Sequence, residues 1–180
     1  MNTNYRLTLP ALFLAFGLLL PMAFHVTGLA GKIFLPMHIP VLMGGLILGW
    51  QQGLFLGIFT PLLSSLLTGM PPLYPMAPIM TVELALYGAA AGYLYRNKRC
   101  SLLLSLISAL IAGRIGIALM LALFAESIGI HLTPWAYIAA SAAQGAVGIF
   151  IQIIGLPPLV HKLEFYLENK KTILNNKEEI

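Results

Sequence analysis

The feature that most constrains this chain is an apolar run that barely pauses between residues 8 and 161. A membrane-crossing helix needs about 20 apolar residues, with about 17 as the lower limit where loops and neighbours help. Candidate spans stand at roughly 8–24, 38–50, 53–69, 78–95, 101–124 and 134–161. The stretch 38–69 is apolar throughout, and as one helix it would run about 48 Å at 1.5 Å per residue. That exceeds a hydrocarbon core of about 30 Å. Its only polar, glycine-flanked point is Gly49-Trp50-Gln51-Gln52-Gly53, where the sequence predicts a break into two short helices.

Charge supports the same division. Charged residues make up 9% of the chain and hydrophobic residues 59%, with mean hydropathy +0.89. A soluble domain carries about 25% charged residues to cover its core, so lipid must be part of the solvent here. At 180 residues the chain is one domain, with no segment left for a soluble catalytic unit. The net charge of +4 does not point to nucleic acid, because the positive residues are clustered. Seven of the ten Lys and Arg residues fall at Arg6, at Arg96, Lys98 and Arg99, and at Lys162, Lys170 and Lys171. Lys and Arg accumulate at cytoplasmic membrane edges. Six crossings place these clusters on one side and leave only Lys32 on the other, whereas five would erase the bias. The expected fold is therefore an all-α integral membrane protein: a six-transmembrane-helix bundle over 1–161 with both termini cytoplasmic, multi-pass in the cell membrane. The charged tail 162–180 is expected to fray or lie along the membrane surface. Residues 7–23 follow Arg6 like a signal-peptide core, but no small-x-small cleavage site comes after them, so they read as a retained first helix. The single cysteine, Cys100, excludes an intramolecular disulfide and suits a reducing-side loop.

Two loops on the expected outer side stand out. Residues 25–37 are long for a bundle connection, and 69–78 (Gly-Met-Pro-Pro-Leu-Tyr-Pro-Met-Ala-Pro) carry four prolines around Tyr74. Each proline fixes its own φ and restrains the residue before it. Such a loop either ends helices or walls a site. Small residues recur at helix-contact spacing: Gly45, Gly49, Gly53 and Gly57; Gly88 and Gly92; Ala139, Ala143 and Gly145. Intramolecular packing is the default for these, while Ala11 and Ala15 on the first span could equally face a partner.

Two ionisable residues fall inside spans, Glu83 and Arg114, with His38 at the start of the second span. A charge within a span costs roughly 2.5–3.5 kcal/mol on insertion scales and needs a reason. All three fall in the outer half under the six-span topology. They are either a helix-fixing ion pair or a pocket in which one or both groups meet a solute. Arginine's planar fork suits a carboxylate or phosphate. Tyr87 shares the face of Glu83, and Gln144 and Gln152 lie within about 80° of one another on the sixth span. Trp135 and Tyr137 are belt residues or aromatic walls. His25 and His131 stand isolated in loops, and His161 lies on the cytoplasmic edge. No HExxH, GxSxG, P-loop or carboxylate pair occurs, and the chain has no aspartate, so neither an enzyme nor a metal site nor a cofactor is indicated.

The stretch Phe34-Leu-Pro-Met-His-Ile-Pro-Val-Leu-Met-Gly-Gly45, then Leu48-Gly49, Gly53, Gly57, Thr60-Pro-Leu-Leu-Ser-Ser-Leu-Leu-Thr-Gly-Met-Pro-Pro-Leu73 and Glu83-Leu-Ala-Leu-Tyr-Gly88, resembles the substrate-binding S component of an energy-coupling factor (ECF) transporter. The likeness in architecture spans about 8–160, with the specific motifs in 34–92. It implies high-affinity binding of a vitamin or similar micronutrient near the outer surface, with the 25–37 loop helping to close the pocket. It also implies docking through Ala11 and Ala15 on a transmembrane coupling (T) subunit driven by two cytoplasmic ATPases, so that hydrolysis belongs to partners. The candidate substrate-binding residues are Glu83, Arg114, His38, Tyr74, Tyr87, Gln144 and Trp135. Arg114 favours an anionic B-type vitamin such as nicotinate or pantothenate, whereas Glu83 and His38 could hold the hydroxyls or ring nitrogen of a pyridoxine-like compound. A Glu83–Arg114 pair would cancel both arguments. The competing functions are an autonomous secondary transporter or channel with Glu83 as proton site, and a scaffold with a purely structural pair.

Overall fold

The computed structural model describes residues 3–26, 31–124 and 133–178, and every regular element in them is helical. The elements are α1 (Thr3–Val26), α2 (Gly31–Phe34), α3 (His38–Leu48), α4 (Trp50–Thr68), α5 (Met76–Gly92), α6 (Leu102–Phe124) and α7 (Pro134–Glu178), with a π-helical turn Tyr93–Asn97 extending α5. His131 and loop residues 27–30 lie outside the described residues.

The break expected in 49–53 falls at Gly49, whose φ of +101° and ψ of 173° an L-residue rarely adopts. No atom crowds the place where its Cβ would stand, so backbone conformation alone requires glycine. Beyond it, the glycine stripes close the bundle. A methyl group on Gly53 would overlap the backbone of Gly88, and one on Gly88 would overlap that of Gly53. Gly45 meets the same Gly88 carbonyl, Gly57 lies on Leu84 and Ala85, and Gly92 lies on Gly49 and Trp50. Small residues serve here as the expected intramolecular contacts. Ala139 and Ala143, by contrast, face outward, and so do Ala11 and Ala15.

Contacts fix the helix directions. His38 lies beside Glu83 and Leu46 beside Arg96, so α3 and α5 run parallel. α4 opposes them, with Gly57 at Leu84 and Trp50 at Gly92. α1 follows α4, with Gly17 at Thr60. α6 opposes α5, with Gly113 at Tyr87 and Gly116 at Val82. α7 runs with α5, from Tyr137 at Met76 to Glu164 at Tyr95. Successive long helices therefore alternate, and both chain ends point to the end that carries Arg96, Lys98 and Arg99.

The outer surface is apolar. Leu12, Phe16 and Leu19 on α1, Ile111, Ile115 and Leu119 on α6, and Phe150 and Ile154 on α7 are all exposed. A continuous apolar exterior belongs in lipid. Among the described residues, Met76–Asn97, Leu102–Phe124 and Pro134–Lys170 are long and apolar enough to cross a membrane, while Thr8–Phe24 and His38–Leu48 are apolar but shorter.

The sixth long helix differs from expectation at its end. Helix α7 runs through Pro157 and Pro158 and past 161 to Glu178. The residues of the extension, rich in Leu, Glu and Lys, favour helix. Glu164 also fastens it to the bundle. Arg96 donates from a terminal nitrogen to Glu164 Oε1 at 2.8 Å, and Tyr95 donates from its hydroxyl to Oε2 at 2.9 Å. Arg96 Nε donates at 2.7 Å to the Leu46 carbonyl, one that the ending of α3 frees.

Candidate functional site

Glu83 is the hub of a polar cluster. It is carried on α5, which lies deep because Gly57 and Gly88 let α4 press against it. The Tyr87 hydroxyl, one turn on, donates to Glu83 Oε1 at 2.8 Å. Arg114 on α6 places a terminal nitrogen 3.2 Å from the same oxygen. Gly113 makes this possible, since any side chain there would meet the Tyr87 ring. The same Arg114 nitrogen donates at 2.8 Å to Ser141 Oγ on α7, and Ser141 in turn donates to the Ile138 carbonyl at 3.1 Å. His38, the first residue of α3, holds Nε2 3.9 Å from Glu83 Oε2 and its ring 5.5 Å from that of Tyr87. At 3.9 Å the imidazole is near the carboxylate without bonding to it.

Three helices thus converge on one carboxylate, and Arg114 links it to a fourth. His38, Glu83 and Tyr87 are buried, and Arg114 is nearly so. The Glu83 and Arg114 charges answer each other, so neither stands free to select a ligand by charge. This is the pairing that bears on both sequence arguments, Arg114 for an anionic vitamin and Glu83 with His38 for a pyridoxine-like one.

The remaining sequence candidates lie apart from this cluster. Tyr74, on the proline loop, is 59% exposed, and Gln144 faces outward. Trp135 is 79% exposed, at the mouth of an apolar groove of about 420 Å³ between α6 and α7 that Arg114, Ile111 and Ile153 also line. The proline loop is firmly tied: Ser64 Oγ donates to the Met70 carbonyl at 2.7 Å, and Thr68 Oγ1 accepts from Met70 N at 3.2 Å. Two residues absent from the sequence-derived candidate set belong to the interior: Ser141, which the sequence did not single out, and Gln152, which it noted only for sharing a face with Gln144. Ser141 is Arg114's second partner, and Gln152 is buried to 1% exposure. Both lie on the inward stripe of α7 formed by Ser141, Gly145, Gly148, Gln152, Leu156 and Val160. That spacing of three and four was the signal available.

Over this stripe lies α2. Gly148 is in reach of the Ile33 and Phe34 backbones, and Gly145 takes the side chain of Leu35, whose φ of +50° is unusual for leucine. The short helix is a strap on α7 that also meets α1, where Phe34 packs on Phe24. No group of three or more metal-ligating side chains occurs among the described residues.

The arrangement defines first a class: a helical bundle with a lipid-facing exterior and a paired polar cluster enclosed near one end. Residues 5–160 match the family described as ECF transporter, substrate-specific component. The chain belongs to that family, whose role is to bind a micronutrient for ECF-mediated uptake. No curated protein and no solved structure matches the chain.

Proposed function

We propose that this chain crosses a prokaryotic plasma membrane six times, with both ends in the cytoplasm. It binds a small micronutrient of the B-type vitamin class at the outer side for ATP-driven import. The ligand is delivered to a transmembrane coupling subunit, on which the chain docks through Ala11 and Ala15 and which two cytoplasmic ATPases drive. The observation that carries this reading is the convergence of His38, Glu83, Tyr87 and Arg114 at the end of the bundle opposite the basic loop. Four buried polar side chains from three helices are costly in lipid unless they serve a site. Alternation of the helices supports six crossings, and the outward placement of Ala11 and Ala15 leaves them available to a partner. Of nicotinate, pantothenate and a pyridoxine-like compound, the internal pairing of Glu83 with Arg114 favours the last, the least dependent on an unpaired cation.

Uptake of labelled pyridoxine, nicotinate and pantothenate by cells expressing the chain with and without a coupling module tests the proposal. Uptake of one of them that requires the module is expected. Solute movement by the chain alone in liposomes would instead establish an autonomous transporter with Glu83 as proton site.

A further inference from the structure

Among the described residues, His38 and Gln152 have no hydrogen-bond partner for any side-chain nitrogen or oxygen: Nδ1 and Nε2 of the one, Nε2 and Oε1 of the other. They are 2% and 1% exposed. Leaving such groups unmade incurs their full desolvation cost, so a folded chain that keeps them keeps them for a partner. Their positions correspond. α3 and α7 run the same way and pack together. His38 is the first residue of α3, and Leu42 follows one turn later; Leu156 follows Gln152 by one turn, and both leucines belong to one buried cluster. One turn before Gln152, Gly148 supports the Ile33–Phe34 strap. The two polar side chains are therefore buried on helices that pack together, with Gln152 one turn beyond the part of α7 that carries α2.

We infer that Gln152, with His38, forms a hydrogen-bonding floor of the substrate site, and that the substrate is a neutral molecule presenting both a donor and an acceptor to it. This deepens the proposed function and rests on it. The charge balance sets the class. Glu83 and Arg114 neutralise one another at 3.2 Å, and Tyr87 and Ser141 are already engaged with them. An anion seated against Gln152 would meet an uncharged amide, and burial of an unpaired charge is prohibitive. An amide offers two donors and an acceptor, and an imidazole adds two ring nitrogens able to hydrogen-bond. Together they match a ring amide, a carboxamide or a hydroxylated ring nitrogen. A site built to hydrogen-bond such a group rejects an analogue lacking it strongly, because its own polar atoms are then left unpaired.

The test is equilibrium binding and thermal unfolding of the purified full chain and its Gln152→Leu variant. The probes are pyridoxine and nicotinamide as neutral solutes, and nicotinate and pantothenate as anions. Nicotinamide and nicotinate share a ring and differ in charge. The wild type is expected to bind a neutral probe at least tenfold tighter than either anion. Gln152→Leu is expected to unfold at the same or a higher temperature without ligand and to lose at least tenfold in affinity for that probe. Tighter binding of an anion, or unchanged neutral-probe affinity in a folded Gln152→Leu, would overturn the inference while leaving micronutrient binding intact. A variant that unfolds earlier without ligand would also overturn it, since Gln152 would then serve the resting fold. Failure of the wild type to bind any of the four would count against the binding reading itself.

Discussion

Arg114 shows how one side chain ties three helices together. Its guanidinium joins the α5 carboxylate to the α7 hydroxyl from a position on α6, while His38 of α3 flanks the same carboxylate. Removing one member of a buried pair strands the other as an uncompensated charge, at a cost of about 3–5 kcal/mol, whereas replacing both by apolar residues is far cheaper. Arg114→Met should therefore lower the unfolding temperature of the purified protein sharply, and Glu83→Leu with Arg114→Met should recover much of that loss. Additive effects in this cycle would mean that the two charges are not coupled. If the pair is also part of the site, the double variant is folded but binds no micronutrient; a scaffold would keep its function. Glu83 and Arg114 were legible in the sequence because ionisable residues inside spans are conspicuous. Ser141 was not, since a serine among alanines gives no sign of a partner on another helix. The two glutamines of α7 were indistinguishable by composition; only the packed stripe buries Gln152 and turns Gln144 outward.

Helix contacts set the spacing that this residue chemistry requires. Gly53 and Gly88 meet backbone to backbone, so a methyl group on either has no flexible side chain to push aside. Gly53→Ala should destabilise by about 1–3 kcal/mol, as overpacking of a tight core does. Gly17→Ala, which would meet only the Thr60 side chain, with its methyl 2.6 Å away, should cost less. Thermal unfolding of the two variants side by side checks the order; a larger loss for Gly17→Ala would contradict the packing described. Gly148→Ala would press within 2.7 Å of the Ile33 carbonyl and lift the α2 strap. Its expected effect is faster ligand release with little change in global unfolding, read by dissociation kinetics. The helix break at Gly49 was legible because glycine and polarity coincide there. The continuation of α7 to Glu178 was not, because it depends on Tyr95 and Arg96, about 70 residues earlier in the chain, reaching Glu164. Glu164→Ala should speed amide exchange in the segment after 161 and leave micronutrient affinity unchanged.

At the scale of the molecule, direction and charge agree. Six long helices among the described residues alternate, and the basic loop and both chain ends fall together. Most of this was legible from apolar length and from the placement of Lys and Arg, since both record the demands of a bilayer. Cys100, beside that loop, should react with a membrane-impermeant maleimide in inverted vesicles and not in intact cells; labelling from outside would overturn the six-crossing arrangement. What composition could not tell is that Glu83 and Arg114 stand within 3.2 Å of one another, because pairing is a matter of distances between helices. The most direct measurement is small-molecule mass spectrometry of the protein purified without added ligand, run beside the Glu83→Leu, Arg114→Met double variant. A binding component predicts one micronutrient-sized compound retained by the wild type, near one per chain, and absent from the folded double variant. A compound retained equally by both, or by neither, would contradict the assignment of this cluster as the substrate site.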